Sequence, residues 1–108
     1  MMTGRLGESV SLEDGSLCAR QCAINLLAQL DQWLDGHPDA RLDRVAKVEG
    51  FVACAPAFHS HHIVLNGASD LLVAVLGDAG RHARAAVGVP SLPLDAPVEI
   101  CGVVALAG

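Results

Sequence analysis

Apolar residues at positions 19, 22, 23, 26, 27, 30, 33 and 34 recur with the 3.6-residue period of a helix, and no other feature constrains the fold as tightly. Ser11 stands ahead of this stretch as an N-cap. Glu13 and Asp14 fall in the first turn, where the positive end of the helix dipole favours carboxylates. Gly15 weakens the start. The helix ends at Asp35-Gly36-His37-Pro38, because glycine supplies a C-cap and proline blocks continuation. An amphipathic helix of this length must bury its stripe against a second layer. The first ten residues hold too little apolar pattern for a strand and read as an entry loop.

The second layer follows in the chain. Residues 41–44 read as a short connection and residues 45–55 as a strand, closed by Pro56. Lys47 and Glu49 share one face of that strand, as a solvated or pore-lining pair, while Ala46, Val48, Val52 and Cys54 share the other. A second helix is expected over about residues 60–76, with Val64, Ala68, Leu71, Leu72, Val75 and Leu76 as its stripe and Gly77 and Gly80 ending it. Asn66 and Asp70 lie on another part of its surface and read as solvated. His59, His61 and His62 form the only local cluster with metal-ligand chemistry. The HxHH spacing fits no zinc pattern and no nearby cysteine or carboxylate completes a set, so a solvated turn is expected.

Residues 80–104, GRHARAAVGVPSLPLDAPVEICGVV, read as strand, loop and strand. Alternation sends Ala83, Ala85, Val87 and Val89 one way and His82, Arg84, Ala86 and Gly88 the other. Arg84 therefore shares its face with small residues, which leaves room beside a guanidinium suited to gripping a carboxylate through two parallel hydrogen bonds. An Arg84–Glu99 ion pair, or an arginine reaching solvent at a sheet edge, fits the same pattern. The loop between the strands carries Pro90, Pro93 and Pro97 and is stiff. The order helix, strand, helix, strand, strand defines an α+β layer with two helices on one face of a small sheet, in one domain over residues 1–108. Three strands barely cover two such helices, so the other sheet face is expected to be hidden against further subunits.

Composition narrows the chemistry. Hydrophobic residues make up 52% of the 108 positions and aromatic residues only 3%, so the core must be aliphatic. The formal charge is -5 and the seven basic residues are scattered, which leaves no stripe or stacking platform for nucleic acid. No run of eighteen uninterrupted apolar residues is present and the first ten carry no signal-peptide pattern, so no membrane partner and a cytoplasmic location are expected. The four cysteines, at 18, 22, 54 and 101, form no CxxC or paired framework, as suits a reducing compartment.

The run GRHARAAVGVPSLPLDAPVEI resembles the YjgF/RidA family of reactive intermediate deaminases, also known as L-PSP endoribonucleases. Its hallmark is an arginine strand, a Leu-Pro loop and an apolar-Glu-Ile step. These stand as Ala83-Arg84-Ala85, Leu92-Pro93 and Val98-Glu99-Ile100, in the expected order and spacing. CARQCAINLLAQL resembles the family's first helix, RVAKVEGFVACAPAF its central strand and turn, and NGASDLL with the arginine strand a YjgF-like subgroup. The resemblance covers roughly residues 3–106. It implies a chorismate-mutase-like fold assembled as a homotrimer, with sheets facing inward and clefts between subunits.

In relatives the arginine matching Arg84 clamps the carboxylate of a 2-imino acid. The glutamate matching Glu99 positions or activates the attacking water, and a 2-keto acid and ammonia leave, with no metal or organic cofactor. The backbone at Ala86, where the family often has cysteine, is expected to touch the ligand. The family usually has two further strands ahead of the position of Thr3, which supply a tyrosine and a Ser-Gly-Gln-type segment to the cleft. That pair is absent from this sequence, which contains no tyrosine. The chain is thus read either as an imine/enamine hydrolase or as a non-catalytic trimer that binds small carboxylate metabolites. Ribonuclease activity is disfavoured by the net charge.

Overall fold

The structure is a computed structural model and describes residues 2–107. It contains α1 (Leu12–Asp35), β1 (Arg41–Ala53), α2 (His61–Leu76), β2 (Ala83–Val89) and β3 (Val98–Ala107). Short 3-10 turns at Gly77–Gly80 and Pro93–Asp95 complete the path. Ser11 caps α1 as expected, its side chain accepting from the Asp14 N–H at 3.1 Å. Gly36 closes the helix with its N–H on the Trp33 and Leu34 carbonyls. At the end of α2, Gly77 takes a positive φ (φ 64, ψ -139) that residues with a Cβ rarely adopt, which makes glycine the natural stop.

The sheet has the order β2-β1-β3, with β1 parallel to β2 and antiparallel to β3. β1 is longer than the sequence pattern indicates. It begins at Arg41, because the β3 pairing continues to Arg41↔Ala107 across register shifts that a strict alternation does not anticipate.

Both helices pack on one face of the sheet. Val45, Val48 and Val52 of β1 meet Val64, Leu65, Ala68 and Leu72 of α2 and Ala19 and Ala23 of α1 in one aliphatic core. Two glycines permit this closeness. A Cβ at Gly50 would lie 2.7 Å from Leu65 Cδ2, and one at Gly67 would lie 2.9 Å from the Ser16 carbonyl carbon, so α1 and α2 meet backbone to backbone. Val75, expected in the α2 stripe, is instead exposed, and Leu65 takes the buried place.

The entry loop contributes more than its sequence indicates. Leu6 is fully buried and Val10 nearly so. The Leu6 N–H donates to the Ala53 carbonyl at 2.8 Å, which ties residues 2–10 to the end of β1. On the far side of the sheet, Phe51, Val87 and Val103 surround the Lys47–Glu49 ion pair (2.9 Å), and Val87 and Val103 stand 46% and 54% exposed. In the single chain this face has no covering layer. The segment His61–Gly80 is long and apolar enough to cross a membrane by composition, yet its α2 portion supplies four of the buried core residues.

Candidate functional site

The sheet has two edges, and the residues singled out from sequence divide between them. On β2, Arg84 pairs in register with Val48, a core residue, so its side chain leaves on the helix-covered face. There Nη1 donates to Asn66 Oδ1 at 2.7 Å and to Ser69 Oγ at 3.2 Å. Ser69 Oγ lies 2.9 Å from His82 Nε2, and His82 Nδ1 lies 2.6 Å from the Gly80 carbonyl. A carbonyl only accepts, so Nδ1 carries the proton. In the neutral ring Nε2 then accepts from the Ser69 hydroxyl, whose lone pair in turn faces Arg84. The chain of bonds runs in one consistent direction and fixes the arginine against α2.

Among the described residues no carboxylate pairs with Arg84, and its Nε and Nη2 have no protein partner. A guanidinium held at one nitrogen and open along its other edge suits a bidentate carboxylate. Ala86, two residues on, lies half-buried on the same face beside Gly50, against the core.

Glu99 lies on β3 opposite Phe51. Positions 48 and 51 are three apart in an uninterrupted stretch of β1, so Glu99 leaves the sheet on the face opposite Arg84. The two residues also occupy opposite edge strands, about 10 Å apart across two strand spacings. The Arg84–Glu99 ion pair that the sequence pattern allowed is therefore not formed within the chain. Glu99 is exposed on edge strand β3, and its charge reaches Cys22 on α1. Burial, Cys18 and the Glu99 charge, in that order, push the Cys22 thiol above its ordinary range. The Cys22 thiol donates to the Val98 carbonyl at 3.6 Å.

Asn66 corrects the sequence reading. It is not simply solvated but holds Arg84. Ser69 and His82 were not singled out either, although Asn66 and Ser69 stand three apart on one helix face and His82 shares the Arg84 face of its strand. That spacing was the available signal. The histidines at 59–62 also differ from a plain solvated turn, because His61 turns inward and lies 3.3 Å from Cys54 Sγ. No group of three or more His, Cys, Asp or Glu residues able to hold a metal occurs among the described residues.

A three-stranded mixed sheet under two helices is a YjgF/chorismate-mutase-like architecture. The family model described as "YjgF/chorismate_mutase-like, putative endoribonuclease" matches residues 1–107, and the chain belongs to that family. It is 45% identical over 106 residues to Protein TCP17 of Trypanosoma cruzi, covering 97% of this chain. It superposes with a TM-score of 0.90 on the crystal structure of Atu1372, a protein of unknown function from Agrobacterium tumefaciens, at 48% identity over 95% of this chain. A structure from Shewanella oneidensis, described as that of a "putative endoribonuclease", matches with a TM-score of 0.85 at 30% identity over 93% of the chain. The chain spans 65% of the length of each of these relatives.

Proposed function

We propose that this protein hydrolyses reactive enamine/imine intermediates, 2-imino acids, to 2-keto acids and ammonia, using a site shared between copies of the chain. The observation that carries the reading is Arg84, anchored through one nitrogen by Asn66 and Ser69 and without a carboxylate partner among the described residues. In this role the open edge of the guanidinium binds the substrate carboxylate and fixes the imine carbon, so that orientation supplies much of the rate. The backbone at Ala86, on the same strand face, lies alongside the bound ligand. Glu99 positions the water and takes its proton as the water attacks the C=N carbon, and the amine leaves as ammonia after proton return.

Within one chain Arg84 and Glu99 stand on opposite faces and edges, so a site that uses both takes them from different copies. The uncovered apolar face around Phe51, Val87 and Val103 supports such an assembly, with a homotrimer as the proposed form. The reading requires no cofactor, nucleic acid or membrane partner. It is tested by following keto-acid release from freshly generated 2-iminobutanoate. Acceleration over buffer, lost in Glu99→Gln, is expected; no acceleration by the wild-type chain would overturn it in favour of a carboxylate-binding trimer.

A further inference from the structure

We propose that Cys54 and His61 form a nucleophilic thiol–imidazole pair, in a cleft separate from Arg84, that captures small carbon electrophiles bearing a carboxylate. Cys54 follows β1 and His61 is the first residue of α2; Sγ and Nε2 lie 3.3 Å apart, within hydrogen-bond reach of a sulfur. The edge of Phe58 packs against the His61 ring, with centroids 5.4 Å apart and planes at 84°, and holds the imidazole in place. Gly88 of β2 makes the approach possible. A Cβ there would lie 2.8 Å from Cys54 Sγ and closer still to His61 Nε2, so any other residue would wedge the pair apart.

The pair lies at the floor of an open cleft of about 370 Å³ that Arg5, Phe58, His59 and Pro90 also line. Cys54 is 9% exposed, and that exposure faces the cleft. The electrostatics favour an anion. Arg5 reaches the Pro90 carbonyl at 3.4 Å and pairs with Glu8 at 2.7 Å, both partners being exposed, a contact that a ligand carboxylate can share at small cost. The start of α2 has no acidic residue in its first turn and no side-chain cap, so its positive end is uncompensated and favours an anionic ligand alongside.

In the reaction, His61 Nε2 takes the thiol proton and Sγ attacks the electrophilic carbon. The C–S bond forms as the bond to a leaving group breaks, a halide in a haloacetate probe. With an α,β-unsaturated acid the C=C π pair moves to the α-carbon instead, which then receives the proton held on His61. Either way the product is a thioether and atoms balance without a further reactant.

Alkylation of the full-length chain by iodoacetate and by iodoacetamide at neutral pH, with rates for each cysteine read by peptide mass spectrometry, tests the assignment. Cys101 is exposed and belongs to no such pair, so it serves as the control in the same molecule. Cys54 is expected to react ahead of Cys101 and to prefer iodoacetate. His61→Gln should slow Cys54 by at least about tenfold and leave Cys101 unchanged. Arg5→Gln should remove the preference for iodoacetate and keep Cys54 reactive to iodoacetamide. Labelling of Cys54 only after the protein unfolds, or at an unchanged rate in a folded His61→Gln, would show an inert core thiol and overturn the proposal. Keto-acid release at Arg84 does not enter this readout, so the two proposals fail separately.

Discussion

Arg84 and Glu99 leave the sheet on opposite faces and from opposite edge strands, so no rotamer of either brings them together in one chain. The strands that carry them are fixed by the buried valines of β1, and the side-chain positions follow from register alone. In the proposed reaction, the arginine that holds the carboxylate and the glutamate that positions water therefore come from two copies.

In the proposed site Asn66 sets the aim of Arg84. Replacing it with alanine removes the 2.7 Å acceptor from Arg84 Nη1 while the helix keeps its buried face. Loss of a hydrogen bond to a charged group costs about 1.5 kcal/mol, so carboxylate affinity, measured by calorimetric titration with a stable 2-keto acid, should fall roughly tenfold. The thermal midpoint should move little.

The fold was legible because its signals were local. The Ser11 cap, the 3.6-residue stripe of α1, Gly77 after α2 and the alternation in β2 each act over a few residues, and each stands where expected, except that Trp33 of the α1 stripe is exposed. The face on which Arg84 leaves its strand was legible for the same reason. Its anchors were not, since Asn66 and Ser69 meet it across 18 and 15 residues of chain and alternation says nothing about a neighbouring helix. Leu6 escaped notice because a lone leucine in a loop shows no period, although it fills the core beneath β1. The Cys54–His61 pair depends on the missing side chain of Gly88, which no spacing rule encodes.

The contact between α1 and α2 should be intolerant of added bulk. In Gly67→Ala the new methyl meets the Ser16 carbonyl group, whose carbon would lie 2.9 Å away, and backbone cannot yield as a side chain can. Overpacking of this kind costs about 1–3 kcal/mol, visible as a lower midpoint in urea with an unchanged slope.

Removing the α1 cap is a milder test. Ser11→Ala abolishes the bond to the Asp14 N–H and should cost about 1 kcal/mol, a fall in Tm of roughly 4–8 °C by scanning calorimetry.

Stability should decline in alkali. Burial and then Asp14 raise the Cys18 thiol above its ordinary 9.0, and burial, Cys18 and Glu99 raise Cys22. Above pH 9.0 the unfolded chain therefore loses these protons before the folded one, so the folded state binds more protons and stability falls as pH rises. Below that pH the contribution is fully present. Urea titrations from pH 8 to 10 should show the decline, and Cys22→Ala should flatten it.

The shared site is tested most directly by mixing two defective chains. Arg84→Ala and Glu99→Gln should each release little keto acid from fresh 2-iminobutanoate, because each breaks every site. Unfolded together in equal amounts and refolded, they should regain roughly a quarter of wild-type activity, the share of interfaces that receive an intact residue from both copies. Keto-acid release by Arg84→Ala at the wild-type rate, or two inactive variants whose mixture stays inactive although mixed oligomers form, would contradict the account.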